Sequence, residues 1–144
     1  MPVGPDWYAI EMARVREVVA SPMLASVPTA PATLLGVFNL RGEIVPLFDT
    51  AALLGLGRVP PSSHVTVVDT ALGAAGLVAS AIPESVELGE PSGVTASPGT
   101  VASYTLGSRL ATLIDVDVLL SPARIGNGGS LVGARAARPP PRGA

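Results

Sequence analysis

Residues 34–56 read LLGVFNLRGEIVPLFDTAALLGL, and this stretch decides the fold. Val37–Leu40 and Glu43–Phe48 are apolar runs of strand length, separated only by Arg41-Gly42. A two-residue link with glycine second suits a tight hairpin whose central residues take positive φ. Pro46 has no N–H to give to a ladder, so it belongs at an edge or a bulge. Asp49 or Thr50 then offers a side-chain oxygen to cap a short helix over Ala51–Leu54, which Gly55 ends.

Outward from this stretch the pattern recurs. A slide of 66 residues superposes Phe38 on Tyr104, Leu40 on Leu106, Ile44 on Leu110 and Leu47 on Leu113. It also sets Asp49 on Asp115 and Leu53-Leu54 on Leu119-Leu120, while a slide of 67 sets Ile10 on Leu77, Val15 on Ile82 and Glu17 on Glu84. Strand, hairpin, strand, Asp-capped turn and Leu-Leu in one register read as an internal duplication. Ala102–Leu106 and Arg109–Ile114 form the second such hairpin around Gly107-Ser108, and Asp115 opens a helical turn ending at Leu120. Val65–Asp69 and Ala75–Ser80 make a further hairpin around Leu72-Gly73.

The remaining segments are connectors and ends. Trp7–Val19 begins as a strand and passes into a helical turn around Met12–Glu17. Gly4-Pro5-Asp6 signals a turn with only Met1–Val3 before it, so the first strand is expected to be truncated and its neighbour left with an open edge. Ser21–Thr33, with Pro22, Pro28 and Pro31, reads as an extended connector, Glu90–Thr100 as loop, and Arg58–Ser63 as the best internal boundary. Short strands with frequent Gly and Pro turns predict an all-β fold of small barrels rather than a parallel α/β sheet. The expected halves are roughly 1–62 and 63–122, packed through apolar faces with a groove between them. Helix is limited to turns near 12–17, 50–54 and 116–120, and 123–144 is expected to be a disordered Gly/Pro/Arg-rich tail.

Composition narrows the function. Hydrophobic residues make up 48% and charged residues 14%, a globular balance. All nine basic residues are Arg, which removes Schiff-base lysine chemistry and the P-loop lysine. With no Cys there are no disulfides, thiol nucleophiles or cysteine-ligated zinc. Beyond Asp117 the only charges are Arg124, Arg135, Arg138 and Arg142, too spread to form a nucleic-acid patch. Residues 18–40 carry no charge, but their prolines argue against a spanning helix, and no targeting signal is visible. A cytoplasmic protein without membrane insertion is expected.

No catalytic constellation survives inspection. His64 lies beside Ser63 with Asp69 five residues on, but no elbow motif exposes a serine, and a strand-opening histidine is the simpler reading. Asp115-x-Asp117 starts like a calcium loop and then fails, because Leu119 and Leu120 stand where a ligand and a glycine are required. The glycine clusters lack a following helix and a lysine, and the five aromatics are too few for a base-stacking platform. Arg41 stands out instead, at a hairpin tip between two apolar strands. It reads either as a solvated turn arginine or as a protein-contact residue, for which five fixed donors suit it.

GVFNLRGEIVPLFD, residues 36–49, closely resembles the hallmark segment of CheW-type domains. YAIEMARVREVV, Val27-Pro28 with Pro31, GLVASAIPESVEL and LGSRLATLIDVDVLL resemble further parts of that family in order, so the likeness spans roughly residues 3–121. The resemblance implies two packed five-stranded SH3-like β-barrels and a non-enzymatic, cofactor-free and metal-free adaptor for chemotaxis signalling. Its implied partners are the cytoplasmic tip of a methyl-accepting chemoreceptor and the regulatory domain of a CheA-type histidine kinase, which shares the fold. The partner-contact region would hold Asn39, Leu40, Arg41 and Gly42, with Gly36, Val37 and Glu43 beside them. Three departures are visible: the short first strand, a short 89–100 loop, and Ala79-Ser80 where the family commonly has an acid. They leave open a specialised or degenerate paralogue serving surface motility or gene regulation. A small hydrolase built on His64 and a purine-nucleotide binder are the readings from other classes.

Overall fold

The computed structural model describes residues 1–57 and 63–128. In chain order the elements are β1 (Pro2–Val3), β2 (Asp6–Ala9), a 3₁₀ turn (Met12–Arg14), β3 (Val15–Ala20), β4 (Leu34–Leu40), β5 (Glu43–Phe48) and α1 (Thr50–Leu54). There follow β6 (His64–Thr70), β7 (Gly73–Ala79), β8 (Gly93–Val94), β9 (Thr100–Leu106), β10 (Arg109–Ile114), α2 (Val116–Leu119) and α3 (Pro122–Gly128). The strands form two five-stranded sheets, ordered β1-β2-β10-β9-β8 and β3-β6-β7-β5-β4.

The 66-residue echo is a structural repeat. Phe38 faces Val45 and Asn39 faces Ile44 across β4–β5, while Tyr104 faces Ala111 and Thr105 faces Leu110 across β9–β10. Each hairpin also breaks register near its open end, at Leu34/Gly36 and at Thr112/Ile114. Asp49 caps α1 by accepting from the Ala52 N–H, and Asp115 caps α2 by accepting from Asp117 and Val118 N–H groups. Gly55 ends α1 in the left-handed region at φ 72°, with the Leu56 N–H returning to the Ala51 carbonyl.

The repeats exchange strands. β5 pairs in parallel with β7, Leu47 opposite Gly76, and β10 pairs in parallel with β2, Leu113 opposite Ala9. Thus β1–β2 from the first repeat complete the sheet of the second hairpin, and β6–β7 from the second complete the sheet of the first. The expected division at residue 62 therefore fails: one sheet takes 2–9 and 93–114, the other 15–79. Strand alternation records which face is buried but not which strand lies alongside.

β6 and β7 are buried on both faces. Val65, Val67 and Ala74 pack with Phe38, Val45 and Leu47 inside their own sheet. Val68, Ala75, Leu77 and Ala79 turn to a second core shared with Met1, Val3, Ile114, Leu53 and Leu119, which joins the two sheets. At Gly76 a Cβ would stand 2.8 Å from Val65 Cγ1 and 3.1 Å from Leu47 Cδ1, so the filled first core requires glycine there.

Four expectations are corrected. The turn at Gly4 is not orphaned: Pro2 pairs with Trp7, Tyr8 N–H donates to Met1 O (2.8 Å), and the Ser80 N–H covers Pro2 O (2.8 Å). β2 has no open edge, because β10 takes its other side. The helical turn at 12–17 stops at Arg14, and β3 begins at Val15, where β-branched residues favour extension. The 90–100 loop contains β8, two residues paired with β9.

The last correction concerns the tail expected from residue 123. Pro122–Gly128 is helical, as proline at the first position permits. Ile125 packs on the shared core, its carbonyl accepts from the buried Thr33 hydroxyl (3.1 Å), and the Arg124 guanidinium donates to the Leu53 carbonyl at the end of α1. Arg124 is thus a structural tie rather than a tail charge. The stretch from 129 onward and the boundary at 58–62 lie outside the described residues.

Pro46 lies inside a sheet rather than at its rim, yet it obeys the underlying rule. Val37 spends its N–H and carbonyl on Ala25, so this pair is not hydrogen-bonded and Pro46 turns its nitrogen away from β4. On that other side β7 joins only at Leu47 and Phe48.

Candidate functional site

The β4–β5 tip is built by local chemistry. Arg41 (φ 50°) and Gly42 (φ 91°) both take positive φ, the geometry of a tight two-residue hairpin. Asn39 Oδ1 accepts from the Gly42 N–H at 2.9 Å and locks the turn. A non-glycine residue in the left-handed region is strained, and Arg41 is held there by the turn it occupies.

That turn delivers the Arg41 guanidinium onto β3. It donates to both carboxylate oxygens of Glu17, a bidentate pair with the arginine side chain 70% exposed and the glutamate 25%. The bond holds Glu17 below the usual carboxylate range and raises Arg41. One residue along β3, Arg16 donates to Glu43 (2.7 Å) and to Asp69 (2.5 Å), tying the base of the same tip to β6. These two hydrogen bonds raise the Arg16 pKa.

The seven residues singled out from sequence divide in two. Asn39, Arg41, Gly42 and Glu43 form the exposed tip. Leu40 turns inward against the first core, Val37 bridges Ala25, and Gly36 leaves room for the connector, since a Cβ there would lie 2.8 Å from the Ala25 carbonyl oxygen. Of these three, Gly36 is buried and Val37 and Leu40 are half-buried.

The sequence reading missed the groove's position and lining. Between β2 and β10 of one sheet and β3 and β6 of the other lies a groove of about 260 Å³. Trp7, Ile10, Val15, Val18 and Leu106 give it apolar walls, the strap Pro83–Leu88 closes one side, and Arg109 and Glu84 supply its side-chain charge beside the Met1 ammonium. Met12 stands 66% exposed beside Val18 at its lip. Arg16 is the extra residue in a β-bulge of β3, which brings Val15 and Val18 onto the groove side while Glu17 meets Arg41. The signal was present in the apolar Met12, Val15 and Val18, whose even spacing of three crosses a turn, a bulge and a strand and matches neither the strand period nor the helical one.

The other candidates resolve into structure. Asp115 caps α2, and Asp117 accepts from Arg14 (2.7 Å) and from the Ala71 N–H (2.8 Å), so the Asp-x-Asp pair is spent on folding. The Arg14 bond holds Asp117 below the usual carboxylate range. His64 opens β6 opposite Ala79.

The molecule thus combines two exchanged β-sheets, an apolar inter-sheet groove and an arginine tip clasped to the groove's lip strand. The CheW-like domain model matches residues 1–124, and the chain belongs to that family, one of chemotaxis scaffolds and adaptors. It is 36% identical over 67 residues to the probable chemotaxis protein CheW of Rhizobium etli, covering 46% of this chain and 43% of that protein. The chain thus spans less than half of that relative's length. With the CheW of Helicobacter pylori it shares 28% identity over 127 residues, 82% of this chain and 77% of that one. Its fold matches the scaffolding protein TtCheW of Thermoanaerobacter tengcongensis with a TM-score of 0.72 at 22% identity, covering 92% of this chain and 99% of that one. No described helix is long and apolar enough to cross a membrane.

Proposed function

We propose that this chain is a non-enzymatic coupling adaptor, joining the cytoplasmic tip of a chemoreceptor to the regulatory domain of a CheA-type histidine kinase. The observation that carries the reading is the apolar inter-sheet groove with Arg41 and Glu17 clasped beside its lip. A groove with Val15, Val18 and Met12 along one edge suits an amphipathic helix, whose apolar stripe fills it while its polar face stays wet. The receptor's helical hairpin supplies such a helix.

The kinase domain is assigned to the outer face of β4–β5. There Ile44 stands exposed next to the Arg41 tip, an apolar contact edged by charge, and Leu35 is exposed at the open end of the same hairpin. Glu17 links the two surfaces, since it neighbours Val18 in the groove and holds Arg41 at the tip. A receptor helix that shifts β3 would thereby alter the tip, which is how binding at one surface biases the other.

Titration of the chain with a purified receptor tip and, separately, with the kinase regulatory domain tests this. Val18→Asp is expected to remove receptor binding by placing a charge in the groove. Arg41→Ala is expected to weaken kinase binding more than about tenfold. Wild-type chain that binds neither protein would overturn the reading.

A further inference from the structure

The two repeats handle equivalent charges differently. In the first, Glu43 is paired with Arg16 and Glu17 with Arg41. In the second, the same offsets of 66 and 67 put Arg109 at the place of Glu43, Pro83 at that of Arg16, Glu84 at that of Glu17 and Gly107 at that of Arg41. One charged residue remains at each pair of positions, and at the place of Glu43 its sign is reversed. Neither Arg109 nor Glu84 forms an ion pair with another described residue, and both line the groove.

Arg109 is nonetheless held in place. Its guanidinium carbon lies 3.8 Å from the centroid of the Trp7 ring, also a groove wall. A cation stacked on an aromatic face keeps its in-plane N–H donors free for a carboxylate. Beside an apolar surface of low polarity such a pair is stronger than one in open water.

We infer that Arg109, positioned by Trp7, is a specificity determinant of the groove: it receives a carboxylate flanking the apolar stripe of the docked helix. The inference rests on the adaptor reading above and adds the helix's chemistry to it. Glu84 lines the same groove with the opposite charge, so a carboxylate of the docked helix is received at Arg109 and repelled at Glu84.

The test is a charge-swap titration with the cytoplasmic hairpin tip of a chemoreceptor from the same genome, in wild-type form and with each Asp or Glu changed to Lys in turn. Arg109→Glu and Val18→Asp are measured beside the wild type, with melting curves to show that each folds. Arg109→Glu is expected to weaken binding at least about tenfold, and one Lys-substituted tip to restore it. Should Arg109→Glu unfold the chain, Arg109→Gln replaces it, with weaker binding and a flatter salt dependence expected. Unchanged affinity in the Arg109 variant, or a loss that no tip substitution repairs, overturns the carboxylate assignment while Val18→Asp still tests the groove. Normal binding by Val18→Asp overturns the groove itself, and the inference with it.

Discussion

The unit of residues 34–54 and the unit of residues 100–119 share hairpin register, a broken register near the open end, an aspartate cap and a buried leucine in the following helix. They differ in what fills the space beneath them. Under the first hairpin Phe38, Val45 and Leu47 meet Val65 and Val67 in a closed core. At the position of Val45 the second hairpin has Ala111, which lines the groove. One repeat has kept its interior and closed its charges, and the other has left both open. Backbone geometry is thus retained while side-chain volume and charge divide the molecule into a supporting half and a receiving half.

The largest effects should fall where the units remain alike. Leu53 and Leu119 occupy the same repeat position and are 1% and 0% exposed. Leu→Ala at either is expected to cost about 2–5 kcal/mol in chemical denaturation, and a silent variant at one site would break the equivalence. Smaller and unequal effects of opposite substitutions are expected where the units diverge. Gly76 faces Leu47 and Ala9 faces Leu113 at equivalent register. Gly76→Ala should cost about 1–3 kcal/mol by overpacking the closed core. Ala9→Gly, beside the groove, should cost about 0.5–1 kcal/mol through backbone entropy alone.

A pH titration probes the tie between the second unit and the rest of the fold. Asp117 of α2 receives Arg14 and the Ala71 N–H, and its pKa is lowered by them. A depressed carboxylate stabilises above its unfolded pKa and loses that contribution as pH falls through the folded value. The melting temperature should therefore drop on acidification below about pH 4, the ordinary aspartate range. Arg14→Met should reduce that drop, and an unaltered acid slope would remove the pair from the list of stabilising contacts.

Much of this was legible because it is local. Arg41-Gly42, Asp49, Asp115 and Gly55 each act within a few residues, so hairpins and capped turns follow from their identity. The repeat was legible because the apolar positions carry its period. The strand exchange was not, since parallel pairing of β5 with β7 or β2 with β10 joins segments far apart without marking either one. For the same reason Arg41 could be placed at a tip but not onto Glu17, 24 residues away. α3 escaped because Ile125 is a lone large apolar residue among Gly and Arg, and its anchors Thr33 and Leu53 lie elsewhere in the chain. The groove lining was hidden in a bulge, which spoils strand alternation at Arg16.

Reconstitution of receptor tip, kinase and adaptor tests the central claim most directly, read as kinase autophosphorylation with and without receptor. Receptor control of the kinase is expected only when this chain is present, and Arg41→Ala is expected to abolish it while leaving the melting temperature within about 2 °C of wild type, as for a surface change. Receptor control that is the same without the chain, or is untouched by Arg41→Ala, would contradict the coupling role assigned to the tip.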